Sequence, residues 1–224
     1  MITAKYNYKK LERIDSPDGR QYVVRDGVSL PSVTTILSKT KDMTGLDEWR
    51  RAVGDAKADQ IVTEAGFLGT AMHNNLENYI AGKEMSGSFM AKALAKLIIK
   101  EAFPRITEIW GSEVMLYTEG LYAGTTDLVG LHENVPAIMD YKNSRSAKEK
   151  EWIEDYFMQL AAYSLSHNEM YGTDIRKGVV MVATRDARYQ EFIIEGDEFI
   201  KYQVMWLEKV DVYYSLPEIS INTP

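Results

Sequence analysis

Residues 113–142 alternate apolar and polar side chains in three successive runs, and few folds accommodate such a ladder. The runs at 113–118, 122–131 and 135–142 are rich in β-branched and aromatic residues, with Gly120 and the His132–Asn134 cluster between them. Three consecutive strands are expected. The next segment repeats its apolar residues at helical spacing (Trp152, Ile153, Tyr156, Phe157, Leu160), which predicts a helix over 149–170 packed on that sheet. KGVVMVAT and RYQEFIIEG then read as two more strands separated by 185–188. A strand–helix–strand return makes a crossover, so the expected class is α/β with a central mixed sheet flanked by helices.

Three polar groups interrupt the ladder where a half-buried sheet has little use for them: Asp127, Asp140 and Lys142. Period-two alternation puts Ile138, Asp140 and Lys142 on one face and Tyr141 on the other. Asp127, near the end of the neighbouring strand, reaches the same place if the two strands pair. Clustered carboxylates repel one another and lose hydration, a cost that a bound cation offsets. Oxygen ligands favour Mg²⁺, with Mn²⁺ next. A lysine beside such a cation can orient or deprotonate a water for attack on phosphorus. An Asp-x-Lys pair by itself is equally an ordinary surface ion pair.

The pair has company. Glu113, Gly124-Thr125-Thr126-Asp127, Asp140-Tyr141-Lys142 and Gln159 to Tyr163 follow the order and spacing of a known motif set. In these residues the chain resembles the PD-(D/E)xK nucleases, and more narrowly their RecB-type branch. Gly69 to His73 followed by Glu77 is similar to that branch's G-x-x-x-H element. Pro31 to Thr34, the G-x-x-x-H-x-x-x-E helix and Q-x-A-A-Y are similar to the mitochondrial genome maintenance exonucleases and their phage relatives. The resemblance spans about residues 30–195.

That resemblance implies a restriction-endonuclease-like core with a helical N-terminal half, in one nuclease domain over 1–224. Within it, 1–30 would form a hairpin and 31–111 a helical region with a candidate arch. Residues 112–195 would hold the catalytic sheet and helix, and 196–224 the last helix and tail. The implied activity is metal-dependent exonuclease hydrolysis of DNA from single-stranded ends, in phage-type recombination, repair or degradation. Asp127, Asp140, the Tyr141 carbonyl and His73 would hold one or two Mg²⁺ or Mn²⁺ ions. Lys142 would position or activate the water, and Glu113 would support the metal site. Gln159 and Tyr163 would contact the lysine, the water or the scissile strand. Relatives usually carry threonine after the lysine; Asn143 departs from that and is read as tuning. Two other readings use the same residues: a structure-selective endonuclease or resolvase, and a non-cutting DNA-end-binding subunit of a recombination complex.

DNA contacts are expected from Ser32 and Thr34, which otherwise cap a short helix, and from Asn143, Ser144, Arg145 and Lys148 after the catalytic strand. Lys92, Lys96 and Lys100 recur every four residues on a helix over 89–102. They are either a solvated face or, on an arch, a track for one strand's phosphates. His73 and Glu77 share a helix face beside the apolar stripe Met72, Leu76 and Ile80. Gly69 and Gly124 are read as places of close backbone approach, Gly124 to substrate.

Elsewhere, Ser16-Pro17-Asp18-Gly19 predicts the N-terminal turn. Helices are expected over 46–65, with an interruption near Gly54, and over 67–80. Trp49, Val53, Ile61 and Val62 are candidate core residues. Pro104 starts a helical turn closed by Trp110-Gly111, and a last helix covers 197–214. The net charge of −7 argues against a protein that coats DNA through its overall field. With no cysteine there is no thiolate metal site, which separates the chain from RecB-type nucleases bearing a four-cysteine cluster. No apolar leader or membrane span is expected, which fits a cytoplasmic location, and the resemblance to phage relatives implies a bacterial or phage-infected cell. A recombination or replication protein is the expected partner besides DNA.

Overall fold

The computed structural model describes residue 3 and residues 5–217; the tail expected at the C-terminus lies outside the described residues from 218 onward. Gly19 takes φ 124°, a conformation cheap only for glycine. It turns β1 (Glu12–Ser16) into β2 (Gly19–Arg25). The expected hairpin gains a third antiparallel strand, β3 (Val28–Pro31), and ends at proline, which has no N–H for a ladder. This small sheet is anchored through Tyr22 and Leu30, buried against Ala123.

Ser32 starts α1 (Val33–Lys39): its Oγ accepts from the Thr35 N–H at 3.0 Å. After α2 (Thr44–Val53) the chain breaks at Gly54, φ 83°, and enters α3 (Asp55–Ile80). The two expected helices are divided differently from the forecast. α3 continues through Gly66 for 26 residues, about 39 Å at 1.5 Å per residue. α2 buries no side chain, and Val53 and Val62 are exposed, so the expected core role of Trp49, Val53 and Val62 is not realised. Met72, Leu76 and Ile80 are buried as expected. α4 (Phe89–Glu101), capped by Ser88, packs Leu94, Ala95 and Ile98 into the same cluster. It therefore lies against α3 and the main sheet and forms no arch.

A 3₁₀ turn at Phe103–Arg105 leads into β4 (Ile106–Thr118), then β5 (Tyr122–His132) and β6 (Val135–Ser144). β4 begins well before Glu113. Trp110 and Gly111 lie inside it because the strand bulges between Ile109 and Gly111, and the Tyr8 ring occupies the place of a Gly111 Cβ. After a second 3₁₀ turn, α5 (Glu154–Tyr171) carries the chain to β7 (Lys177–Thr184), parallel to β6, and β8 (Tyr189–Glu195) closes antiparallel. Trp152 sits on that turn, 70% exposed, and does not pack as its spacing predicted. α6 (Gly196–Ser215) follows.

The five strands run in the order β4-β5-β6-β7-β8. One face buries Ile138, Val180 and Val182 against Leu160, Phe199 and Trp206 of α5 and α6. The other buries Met139, Tyr141 and Val179 against Met72, Leu76 and Ile98 of α3 and α4. Each buried side chain of this size contributes roughly 1.5–3 kcal/mol, and burial on both faces is what a mixed sheet with a crossover needs. The α/β class, with a mixed central sheet flanked by helices, is as expected for a restriction-endonuclease-like core. Among the described residues no helix is long and apolar enough to cross a membrane.

Candidate active site

The polar residues of the ladder meet where β5 and β6 pass beneath α3. The Tyr141 N–H donates to Asp127 Oδ2 at 2.7 Å, which fixes that carboxylate beside β6. Asp127 is 8% exposed and Asp140 2%. The Lys142 ammonium lies 2.6 Å from Asp140 Oδ2 and donates to Gln159 Oε1 at 3.2 Å. Gln159 Nε2 in turn donates to the Tyr163 hydroxyl at 3.2 Å. α5 thus holds the lysine in place through a carboxamide that packing alone would not call for.

His73 comes from α3. Its Nε2 lies 2.9 Å from the Tyr141 carbonyl, and its Nδ1 lies 3.3 Å from Asp127 Oδ1. A carbonyl only accepts, so Nε2 carries a hydrogen in this arrangement. Glu77 lines the same cleft but makes no hydrogen bond to His73 among the described residues; the ring is held by Tyr141 and Asp127. Glu113 stands across from Asp127, since Ser112 pairs with Leu128 and Val114 with Thr126. Its φ is +51°, a left-handed conformation that costs a non-glycine residue roughly 1–3 kcal/mol.

The electrostatics follow from this crowding. Burial would lower the His73 imidazole, but the Asp127 and Asp140 carboxylates outweigh it and push it up to about 9. Burial would raise Asp127, yet His73 and Lys142 hold it below the usual carboxylate range. Asp140 takes the opposite course: burial and the neighbouring Asp127 push it up to about 6 despite Lys142. Burial opposes the Lys142 charge, and Asp140 and Asp127 more than restore it, so the ammonium is held above its usual range. Glu113 is exposed as a residue, yet desolvation of its carboxyl among these groups and the nearby Asp127 push it up to about 7. This corner carries more carboxylate than its own cations neutralise.

These groups open on a cleft of about 460 Å³. Ser32 and Thr34 line it, although Ser32 is buried and its hydroxyl is taken by capping and by Thr34 and Thr35. Asn143 does not reach it; its carboxamide donates to the Ala65 carbonyl at 3.1 Å and fills the space beside Gly69. The open side of Gly69 therefore serves helix–strand contact. Gly124 lines the cleft and makes room for the Tyr163 ring. Ser144 is buried and donates to the Ser146 carbonyl. Arg145 and Lys148 line a neighbouring groove. Lys96 and Lys100 line a third pocket, and Lys92 lines neither cleft nor groove. The lysine stripe of α4 thus stands apart from the carboxylates, as its packing on the sheet requires.

Several cleft residues had no forecast: Arg13, Arg20 and Tyr22 on the small sheet, and Thr70 and Asn74 on α3. Spacing could have found the last two, since they lie three before and one after His73. Nothing local to β1 and β2 announces a contact with strands a hundred residues away. Arg13 and Arg20 share Asp15, at 3.2 and 2.8 Å. Tyr22 bonds the Thr125 hydroxyl at 2.9 Å.

The donor set fits a divalent cation. One ligand atom each from His73, Glu113 and Asp127 lie within 4.8 Å of one another. Nδ1 is the ring nitrogen that faces them, with Nε2 oriented by a carbonyl, the usual arrangement of a metal-bound imidazole. The trio differs from the sequence expectation: Glu113 joins it, Asp140 is turned to Lys142, and the Tyr141 carbonyl is engaged by His73.

No family model matches the chain, and no curated protein matches it. Among solved structures, a putative exonuclease from Eubacterium rectale is similar at 14% identity, covering 70% of this chain and 75% of that one, with TM-score 0.43. The protein SSO0001 is similar at 17% identity, covering 79% of each chain, with TM-score 0.39. An alkaline exonuclease from Laribacter hongkongensis is similar at 14% identity, covering 67% of this chain and 80% of that one, with TM-score 0.32. Likeness at this level assigns no activity to the chain.

Proposed function

We propose that this chain is a divalent-cation-dependent deoxyribonuclease, an exonuclease that hydrolyses phosphodiester bonds from single-stranded ends. The observation that carries the reading is the meeting of His73, Glu113, Asp127, Asp140 and Lys142 in one cleft, from α3, β4, β5 and β6. Each belongs to the motif order that resembles the RecB-type nucleases. A cation held by His73, Glu113 and Asp127 would neutralise phosphate charge and lower the pKa of a water.

The chain's own groups supply the rest. Lys142, protonated and fixed by Asp140 and Gln159, is placed to offset charge developing on the phosphorane oxygens and to orient the attacking water. Asp140, pushed up to about 6, can accept a proton from that water near neutral pH. Tyr141 donates its N–H to Asp127 and accepts from His73, so its backbone holds both in place. Arg13 and Arg20, which share Asp15, also line the cleft, where they would contact a phosphate bound to the cation that the carboxylates hold.

We read the described elements as one nuclease domain, with DNA recombination, repair or degradation in a bacterial or phage-infected cell as its setting. The test is purified protein with Mg²⁺ or Mn²⁺, end-labelled linear strands and a closed single-stranded circle. Cleavage of the linear strand alone is expected; cutting of the circle would replace the exonuclease by an endonuclease. Retained cleavage in both Asp140→Asn and Lys142→Ala would remove this site from the reaction. Mn²⁺ should also raise the melting temperature of the wild type but not of His73→Ala or Asp127→Asn.

A further inference from the structure

Beside the carboxylate cleft lies a second groove of about 250 Å³, lined by Lys57, Tyr156, Arg145, Lys148 and Arg185. Its cations differ from most others in this acidic chain. Arg13, Arg20, Arg25, Arg50, Arg105, Arg176 and Arg188 all pair with carboxylates. Lys57, Arg145, Lys148 and Arg185 make no ion pair among the described residues, and Glu64 is the one acidic residue lining their groove. Four uncompensated cations in a concave site of a chain with net charge −7 are a local reversal of sign. Such a reversal concentrates polyanions.

The groove adjoins the cleft along α3. Along α3, Lys57, Ile61, Ala65, Gly69, His73 and Glu77 stand four residues apart, one ridge of the helix. Its first three residues line the groove and its last three the cleft. From Lys57 to His73 the ridge covers about 24 Å at 1.5 Å per residue. The two spaces meet where Asn143 bonds the Ala65 carbonyl at 3.1 Å and the Lys142 ammonium lies 4.8 Å from the Tyr156 ring centre. One side of the divide holds the reacting groups, and the other holds four cations, one carboxylate (Glu64) and an aromatic ring.

We propose that this groove is a strand-binding track: it holds the sugar–phosphate backbone of a nucleic-acid strand on one side of the bond placed at His73, Asp127 and Lys142. The inference rests on the nuclease reading and adds Lys57 and Arg185 to the substrate contacts. The cations hold phosphates and read no sequence. Tyr156 is the aromatic ring of the groove, 4.8 Å from the Lys142 ammonium, where a base can stack.

The test is equilibrium binding of a fluorescein-labelled oligodeoxythymidylate to the full chain in EDTA, over a series of salt concentrations. The doubly substituted Lys57→Ala, Arg185→Ala protein should bind about tenfold more weakly, with the log–log salt slope reduced by about 1.4, or ~0.7 per lost phosphate contact. The doubly substituted Arg51→Ala, Lys201→Ala protein removes an equal charge from α2 and α6, outside the groove, and should shift affinity less than about twofold. Equal losses in the two proteins would overturn the proposal, and so would no loss in the double variant. Displacement by polyglutamate as effective as by unlabelled strand would overturn the assignment to nucleic acid. Because nothing is cut in EDTA, the result is independent of cleavage. Wild-type protein that cuts with Mn²⁺ while the double variant binds normally sinks the track and leaves the nuclease reading standing. A strand that is bound through the groove but never cut does the reverse.

Discussion

Gly124 on β5 and Tyr163 on α5 are matched in shape: a Cβ at Gly124 would stand 2.7 Å from Tyr163 Cε1. The ring reaches that spot because its hydroxyl takes the Gln159 hydrogen bond, and Gln159 holds Lys142. A methyl group on β5 is therefore felt at the ammonium through α5.

Gly124→Ala should destabilise the fold by about 1–3 kcal/mol through overpacking. Tyr163→Leu in the same chain should recover part of that loss, because the two changes share one space. Urea denaturation of both single variants and the double variant measures the coupling. Additive losses would mean that ring and glycine are not in contact.

Lys142→Met leaves Asp140 buried without its cation, a loss of about 3–5 kcal/mol at pH 7. Adding Asp140→Asn removes the stranded charge and should restore most of it. Asp140 is already pushed up to about 6 with the lysine present. Without Lys142 it rises further, so the carboxyl is neutral at pH 5 and the Lys142→Met deficit should shrink there. Unfolding free energies of the three proteins at the two pH values, without metal, decide it.

Glu113 combines strain with chemistry. Glu113→Gly removes a left-handed glutamate and should leave the protein as stable or up to about 2 kcal/mol more so. The same change should abolish most of the Mn²⁺-induced rise in melting temperature. Destabilisation accompanied by an intact Mn²⁺ response would mean that Glu113 is structural.

His167 gives the fold a pH dependence of its own. The ring is buried between Tyr8 and Thr173, with bonds of 2.9 and 2.8 Å. Burial and the nearby Lys5 lower its pKa from 6.5 to about 4. The unfolded chain then takes up the proton first as pH falls, so stability is full above pH 6.5 and declines toward pH 4. The ceiling is about 3 kcal/mol. His167→Gln should flatten that part of the stability curve, visible as a smaller difference between pH 7 and pH 4.5. A difference as large as the wild type's would assign the slope to other groups.

The sheet was legible because period-two alternation and burial on both faces act locally: β5, β6, β7 and β8 follow from their own residues. Asp127, Asp140 and Lys142 stood out for the same reason, as polar groups against that pattern. α3 was misread because Gly66 costs only about 1 kcal/mol in a helix, less than the burial of Met72 and Leu76 supplies further along. Arg13, Arg20 and Tyr22 were invisible because their contact with β5 is set by packing between distant segments. The left-handed Glu113 and the turn of Asp140 toward Lys142 depend on tertiary geometry that no spacing encodes. His73 was found through motif order, and its bond to the Tyr141 carbonyl only through the fold.

α3 is a single rod that carries Lys57 near its start and Glu77 near its end, stitched to β6 by Asn143 and by His73. Helices fray from their tips, and His73 lies more than a full turn from either one. Losing the imidazole from its post therefore means lifting the whole rod off the sheet. The ligand arrangement and the seam between α3 and β6 would give way together, in one opening event.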